Sequence, residues 1–197
     1  KSLAMGIIKK IEENNCIIAI WNLQESLEEL TQQSANISIP DFNNEKRQKE
    51  YLASRLLLKD ITPNTKITYN EYGAPKLENG KHISISHSKN LVAIIISKQK
   101  VGIDIEQISK KPLRLSSKFI SDNTHQNLTK EKATLIWCCK EAIYKWYQKG
   151  NIDFIKDIKL YNFEIAEKGI LTTEFKTERL FLNYQKIHNH YLVYVCK

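Results

Sequence analysis

The sequence predicts an α+β protein of two similar lobes related by a pseudo-two-fold axis, each a small, mostly antiparallel sheet packed with a long helix. Two observations carry this. Each half of the 197-residue chain holds one long helical pattern, at residues 44–60 and 129–148, and short apolar runs of strand character follow each of them. The order strand, short helix, long helix, strands is met before a joint at residues 98–100 and again after it. The chain is therefore divided into an N-terminal lobe, residues 1–98, and a C-terminal lobe, residues 99–197.

In the first half, residues 16–22 are apolar and β-branched and read as a strand, and residues 26–33 read as a helix. Residues 44–60 form the longer helix, whose Tyr51-Leu52-Ala53-Ser54-Arg55-Leu56-Leu57-Leu58 stands where residues 135–146 stand later. Short strands near Ile67, Ile83 and Val92 follow, the last within the run Leu91-Val92-Ala93-Ile94-Ile95-Ile96. The second half opens on a strand in which Val101, Ile103 and Ile105 share one face. A short helix is expected at residues 116–120. In the long helix, Leu135, Ile136, Cys139, Ile143 and Trp146 recur at three- and four-residue spacing, and Gly150 offers a stop. Strands near Ile158, Leu171, Leu180 and Val193 complete the half.

Chemistry-bearing residues fall on these elements in a definite way. Strand side chains repeat every two residues, so Asp104 and Glu106 project from one side and can share a cation. An isolated Asp-x-Glu is more often an exposed strand face. On the long helix Trp137, Glu141 and Lys145 fall at i, i+4 and i+8 and form one stripe, with Lys140 a neighbour of Trp137 one turn on. Taken alone, Glu141 and Lys145 read as a surface ion pair worth about 0.3–0.5 kcal/mol. Three carboxylates and a lysine together suit Mg²⁺, which is completed by waters and substrate phosphates. Ahead of both clusters, Ser86, His87 and Ser88 offer hydroxyls and an imidazole to a phosphate, or form an ordinary satisfied turn.

Ser86-His87-Ser88, then Val101-Gly102-Ile103-Asp104-Ile105-Glu106, then residues 137–145 in the form W-x-x-K-E-A-x-x-K resemble, in this order and spacing, the 4′-phosphopantetheinyl transferase superfamily. Within it the chain is similar to the monomeric, two-lobed class typified by the surfactin-synthetase activating enzyme, rather than the half-length trimeric class that serves fatty-acid synthase. The likeness runs from about Cys16 to the C-terminus.

The resemblance implies Mg²⁺-dependent transfer of the 4′-phosphopantetheine arm from coenzyme A to a serine of an acidic acyl or peptidyl carrier protein, releasing 3′,5′-ADP. Asp104, Glu106 and Glu141 would hold the metal. Glu141 is implied as the general base, directly or through a water, while Lys145 would neutralise charge on the diphosphate. Coenzyme A would be met by Arg47, Arg55, Pro75, Lys76, Ser86, His87, Ser88, Lys140 and Lys145. Of these, Arg47 and Arg55 lie towards its 3′-phosphate, as an alternative to solvated arginines on an amphipathic helix. Gly73-Ala74-Pro75-Lys76 departs from the family's Gly-Lys-Pro segment near the adenine, with Ala74 at the usual lysine position. Thr124-His125-Gln126 departs where relatives carry a glutamate. Arg114, Lys118 and Phe119, within residues 113–128, stand in the region that docks the carrier.

Composition agrees with a soluble globular protein, 42% hydrophobic and 26% charged. The longest apolar run is six residues, against about 20 for a bilayer-spanning helix, and no signal-peptide pattern is seen, so a cytoplasmic protein without membrane contact is expected, and the family resemblance implies a monomer. Residues 1–4, ahead of the only methionine, Met5, are expected to have no bearing on function. Cysteines 16, 138, 139 and 196 make no zinc spacing and are expected to be reduced and mostly buried. The net charge of +8 points to anionic partners. Nucleic acid is disfavoured by the lack of a binding motif, and a nucleotide-using kinase by the lack of a phosphate-cradling glycine loop. A basic, non-enzymatic module that binds an acidic protein or polyanion is the alternative class.

Overall fold

The computed structural model describes residues 6–13, 15–35, 37–121, 125 and 127–197. Residues 1–5, Thr124 and Gln126 lie outside these. The chain separates into two compact units, residues 1–99 and 100–197. Each has an antiparallel sheet and one long helix, the expected α+β class.

In the first unit the sheet order is β1-β2-β6-β5-β4-β3, built from β1 (Ile7–Glu13), β2 (Cys16–Asn22), β3 (Ile67–Tyr69), β4 (Pro75–Leu77), β5 (His82–Ser88) and β6 (Leu91–Ser97). Strand β6 is buried along its whole length, as the unbroken apolar run requires of a central strand. Helix α1 (Leu27–Gln33) starts on a capping box between Ser26 and Glu29. Helix α2 (Glu45–Ile61) is capped by the Asn44 side chain. Its Leu52, Ala53, Leu56 and Leu57 share a core with Ala19, Trp21, Val92, Ile94 and Ile96 of the sheet. The sequence reading does not anticipate β1, whose Lys9, Lys10, Glu12 and Glu13 obscure an edge strand that charges protect from further pairing.

In the second unit the order is β7-β11-β10-β9-β8, from β7 (Val101–Gln107), β8 (Ile158–Leu160), β9 (Lys168–Phe175), β10 (Glu178–Ile187) and β11 (His190–Cys196). Helix α4 (Lys130–Tyr147) begins at the Thr129 cap and ends on Gln148 in the left-handed conformation, φ 63°. The short helix expected at residues 116–120 is instead α3 (Lys110–Arg114) followed by a single 3-10 turn at Ser116–Lys118. The Ser109 side chain caps α3 a turn earlier than the apolar pattern suggests. Leu135, Ile136, Cys139, Ile143 and Trp146 of α4 enter one core with Leu171, Leu182, Tyr191 and Val193. No helix among the described residues is long and apolar enough to cross a membrane.

Candidate active site

Strand β7 and helix α4 lie against each other in opposite directions, and their lengths match. Four strand steps from Gly102 to Glu106 and nine helix steps from Trp146 back to Trp137 each cover about 13 Å. Gly102 makes the approach possible. A Cβ there would stand 2.1 Å from the Ala142 carbonyl oxygen and 2.7 Å from Trp146 N. Two and four residues on, the side chains on that same face of the strand are Asp104 and Glu106.

Asp104 is buried, and Lys145 Nζ donates to its Oδ1 at 2.6 Å. Trp137 Nε1 donates to Glu106 Oε1 at 3.3 Å. The helical stripe Trp137, Glu141, Lys145 is thus laid over the strand pair. Burial, and then the negative charge of Asp104, push the Glu106 carboxyl up to about 7, with the Trp137 hydrogen bond and Lys145 opposing. Glu141 is pushed up to about 7 by the same two causes in the same order. For Lys145, burial works against the charge, but Asp104 and then Glu141 outweigh it and hold the ammonium above its ordinary range. Three acids therefore feel one another's charge, with one lysine among them.

The donor chemistry suits a hard divalent cation, because mutually repelling carboxylate oxygens are what such an ion neutralises. The side-chain placement is less complete. Among the described residues no three His, Cys, Asp or Glu side chains are arranged to hold an ion, and the cation that meets Asp104 is the Lys145 ammonium. A shared metal therefore requires the carboxylates to change rotamer.

Beside Glu106 opens a cavity of about 620 Å³ lined by Lys111, Lys118, Phe119, Trp137 and Phe154. Trp137 packs edge-on against Phe119 at 5.1 Å and tilted against Phe154 at 5.5 Å. Phe119 is buried, so the exposed apolar side chain near the cations Arg114 and Lys118 is Leu115.

Lys140 has a different occupation from the ligand contact expected of it. Its buried ammonium donates to the main-chain carbonyls of Ile158, at 2.9 Å, and Phe154. Burial lowers its pKa to about 8. It braces the segment that carries Phe154 against α4, and the i+3 spacing from Trp137 gives no hint of this.

In the first unit, His87 on β5 lies beside α2. Arg47 Nη1 is 3.1 Å from His87 Nε2, and His87 Nδ1 is 3.3 Å from Glu50 Oε1. Glu50 is buried and also faces Lys46 and Arg47. It is the functional candidate that the sequence reading misses, since it sits in a run of charges that looks like a solvated helix face. Its i+3 spacing from Arg47 was the available signal. Ser86 is buried and Ser88 half-buried on the same strand.

Arg55 has other surroundings. Its guanidinium lies 3.7 Å from the Tyr51 ring centroid and donates to Tyr69 Oη at 2.7 Å, on the wall of a cavity of about 600 Å³. Pro75 pairs with Tyr69 across the β3–β4 hairpin, whose turn uses Gly73 at φ 76°. Lys76 is exposed on β4. The structure thus brings together Asp104, Glu106, Glu141 and Lys145, and separately Arg47 and His87, while Arg55 and Pro75 flank Tyr69.

The sequence profile of a family described as the 4′-phosphopantetheinyl transferase superfamily matches residues 100–196, the span that holds the acid cluster. The chain is 33% identical to the 4′-phosphopantetheinyl transferase gsp of Aneurinibacillus migulanus over 51% of this chain and 47% of that protein. It is also 33% identical to the 4′-phosphopantetheinyl transferase psf-1 of Bacillus pumilus, over 35% of this chain and 33% of that protein. The matches thus span about half the length of the first relative and a third of the second.

Proposed function

We propose that the chain, whose residues 100–196 match the 4′-phosphopantetheinyl transferase superfamily, moves the 4′-phosphopantetheine arm of coenzyme A onto a serine of an apo carrier protein. The carrier is acidic, the co-product is 3′,5′-ADP, Mg²⁺ is the cofactor, and the protein works as a cytoplasmic monomer. One observation carries the reading. Asp104, Glu106, Glu141 and Lys145 gather on facing elements inside the family-matched residues.

The reaction is difficult because a neutral hydroxyl must attack a diphosphate whose non-bridging oxygens share negative charge, so positioning and charge neutralisation dominate catalysis. A bound divalent ion supplies neutralisation and polarises the diphosphate; Asp104, Glu106 and Glu141 are the side chains to hold it. Lys145, kept cationic by its acid neighbours, offsets further charge on the diphosphate. Glu141 takes the serine proton, directly or through a water. The serine Oγ–P bond forms, the P–O bond to the nucleotide breaks, and 3′,5′-ADP leaves with the electron pair. In the first unit Arg47, Arg55, His87 and the Ser86 and Ser88 hydroxyls serve the nucleotide phosphate, with Pro75 and Lys76 nearer its adenine.

Incubating the full chain with coenzyme A, Mg²⁺ and several apo carrier proteins tests this by mass spectrometry. A carrier that gains one phosphopantetheine arm is the expected result. No adduct on any carrier from well-folded protein would remove the reading.

A further inference from the structure

Glu50, His87 and Arg47 are arranged as an anion receptor with a built-in proton acceptor. Arginine is always protonated and can only donate, so at 3.1 Å from Arg47 Nη1 the His87 Nε2 must be the accepting nitrogen. The ring proton then sits on Nδ1 and is donated to Glu50 Oε1, 3.3 Å away. In this state the imidazole is neutral and its lone pair faces the guanidinium.

A phosphate that approaches the pair changes what is required of the ring. A lone pair on Nε2 repels a phosphate oxygen, whereas an N–H there donates a charge-assisted hydrogen bond to it. Glu50 makes the second proton affordable. It is 5% exposed and fixed on α2, and its carboxylate already accepts from Nδ1–H, so it stabilises the positive ring in place. Charged groups beside the ring include Glu50 and Arg47, with Lys46 3.6 Å from Glu50, all on α2. Across the sheet the ring's partner position is the uncharged Val92, and Lys89 in the next turn is the nearest charge along the chain. Lys46 and Lys89 also line a depression of about 450 Å³ with Lys49 and Glu45, three cations to one acid, so the approach is basic on balance.

We propose that phosphate-monoester binding at Arg47 and His87 is coupled to uptake of one proton at His87 Nε2, with Glu50 as the positioning residue that holds the ring in its doubly protonated form. This rests on the reading that the chain binds coenzyme A, and assigns Glu50 a role in that site. The proton comes from solvent, and no covalent bond changes.

Titration calorimetry of the full chain with 3′,5′-ADP, run at one pH in several buffers of different ionisation heat, counts the protons taken up. Uptake approaching one proton near pH 7.5 is expected, because an ordinary imidazole, titrating at about 6.5, is mostly neutral there. Glu50→Gln should bind about as well as the parent near pH 6 and about tenfold more weakly near pH 8, with the uptake reduced. Arg47→Gln should weaken binding at both pH values and keep the uptake. Binding without proton uptake, or uptake undiminished in Glu50→Gln, overturns the inference; if arm transfer to a carrier still proceeds, the proposed function stands. Absence of both nucleotide binding and transfer overturns both.

Discussion

Glu106 and Glu141 carry a cost that a binding site accepts and a purely structural surface does not. Each carboxyl is raised from an ordinary value of 4.5 to about 7, first by burial and then by Asp104. A raised carboxyl binds its proton more tightly in the folded state, so its contribution to stability falls as pH climbs from about 4.5 to 7 and is lowest above that window. In the presence of a chelator, Glu106→Gln should therefore match the parent near pH 5 and exceed it at pH 8 by on the order of 1 kcal/mol. Thermal melts across that range check this, and a gap independent of pH would contradict it. At this scale the sequence was legible where a backbone period fixes direction. Strand and helix spacing put Asp104 and Glu106 on one strand face and Glu141 and Lys145 on one helix stripe, and the family resemblance is what singles them out as a site. The surroundings of Lys140 and Glu50 were not legible, because long side chains choose their partners after packing. A lysine that reaches two carbonyls twenty residues or fewer downstream leaves no periodic trace, and for a glutamate buried under a histidine from a distant strand the i+3 spacing from Arg47 is the one local sign, which does not tell of the histidine.

At the scale of elements, the contact between β7 and α4 depends on the absence of one Cβ. Gly102→Ala would drive a methyl into the Ala142 carbonyl and the Trp146 backbone, and parting the two elements should cost about 2–3 kcal/mol. A fall in melting temperature of about 5–10 °C is expected, together with loss of activity, since the acids sit two and four residues further along the same strand. An unchanged melting temperature would show that the two elements adjust freely. At the other end of α4, Gln148 occupies a left-handed cap, φ 63°. Gln148→Gly should stabilise the protein by a few tenths to about 1 kcal/mol by denaturant melts, and destabilisation would contradict this. The long helices and central strands were readable because amphipathic spacing and unbroken apolar runs dominate there. The short helix at residues 116–120 was misplaced because a side-chain cap at Ser109, not apolar spacing, starts the helical segment. Strand β1 was hidden by the charges that suit an edge.

Across the whole molecule, the net charge of +8 favours electrostatic encounter with an anionic partner, and the proposed function makes that partner an acidic carrier. Reversing Arg114 and Lys118 together to glutamate should raise KM about tenfold at low salt and leave kcat largely intact, with the difference shrinking as salt is added. A rate equal to the parent at low salt would exclude those cations from docking. The central claim is that the acids of β7 and α4 perform the transfer. Its most direct test is the single-turnover rate of arm transfer by Glu141→Gln at saturating Mg²⁺ and coenzyme A, with the fold verified by its melt. A loss of about 10²–10⁴-fold is predicted for removing the base, and a rate near that of the parent would contradict the account.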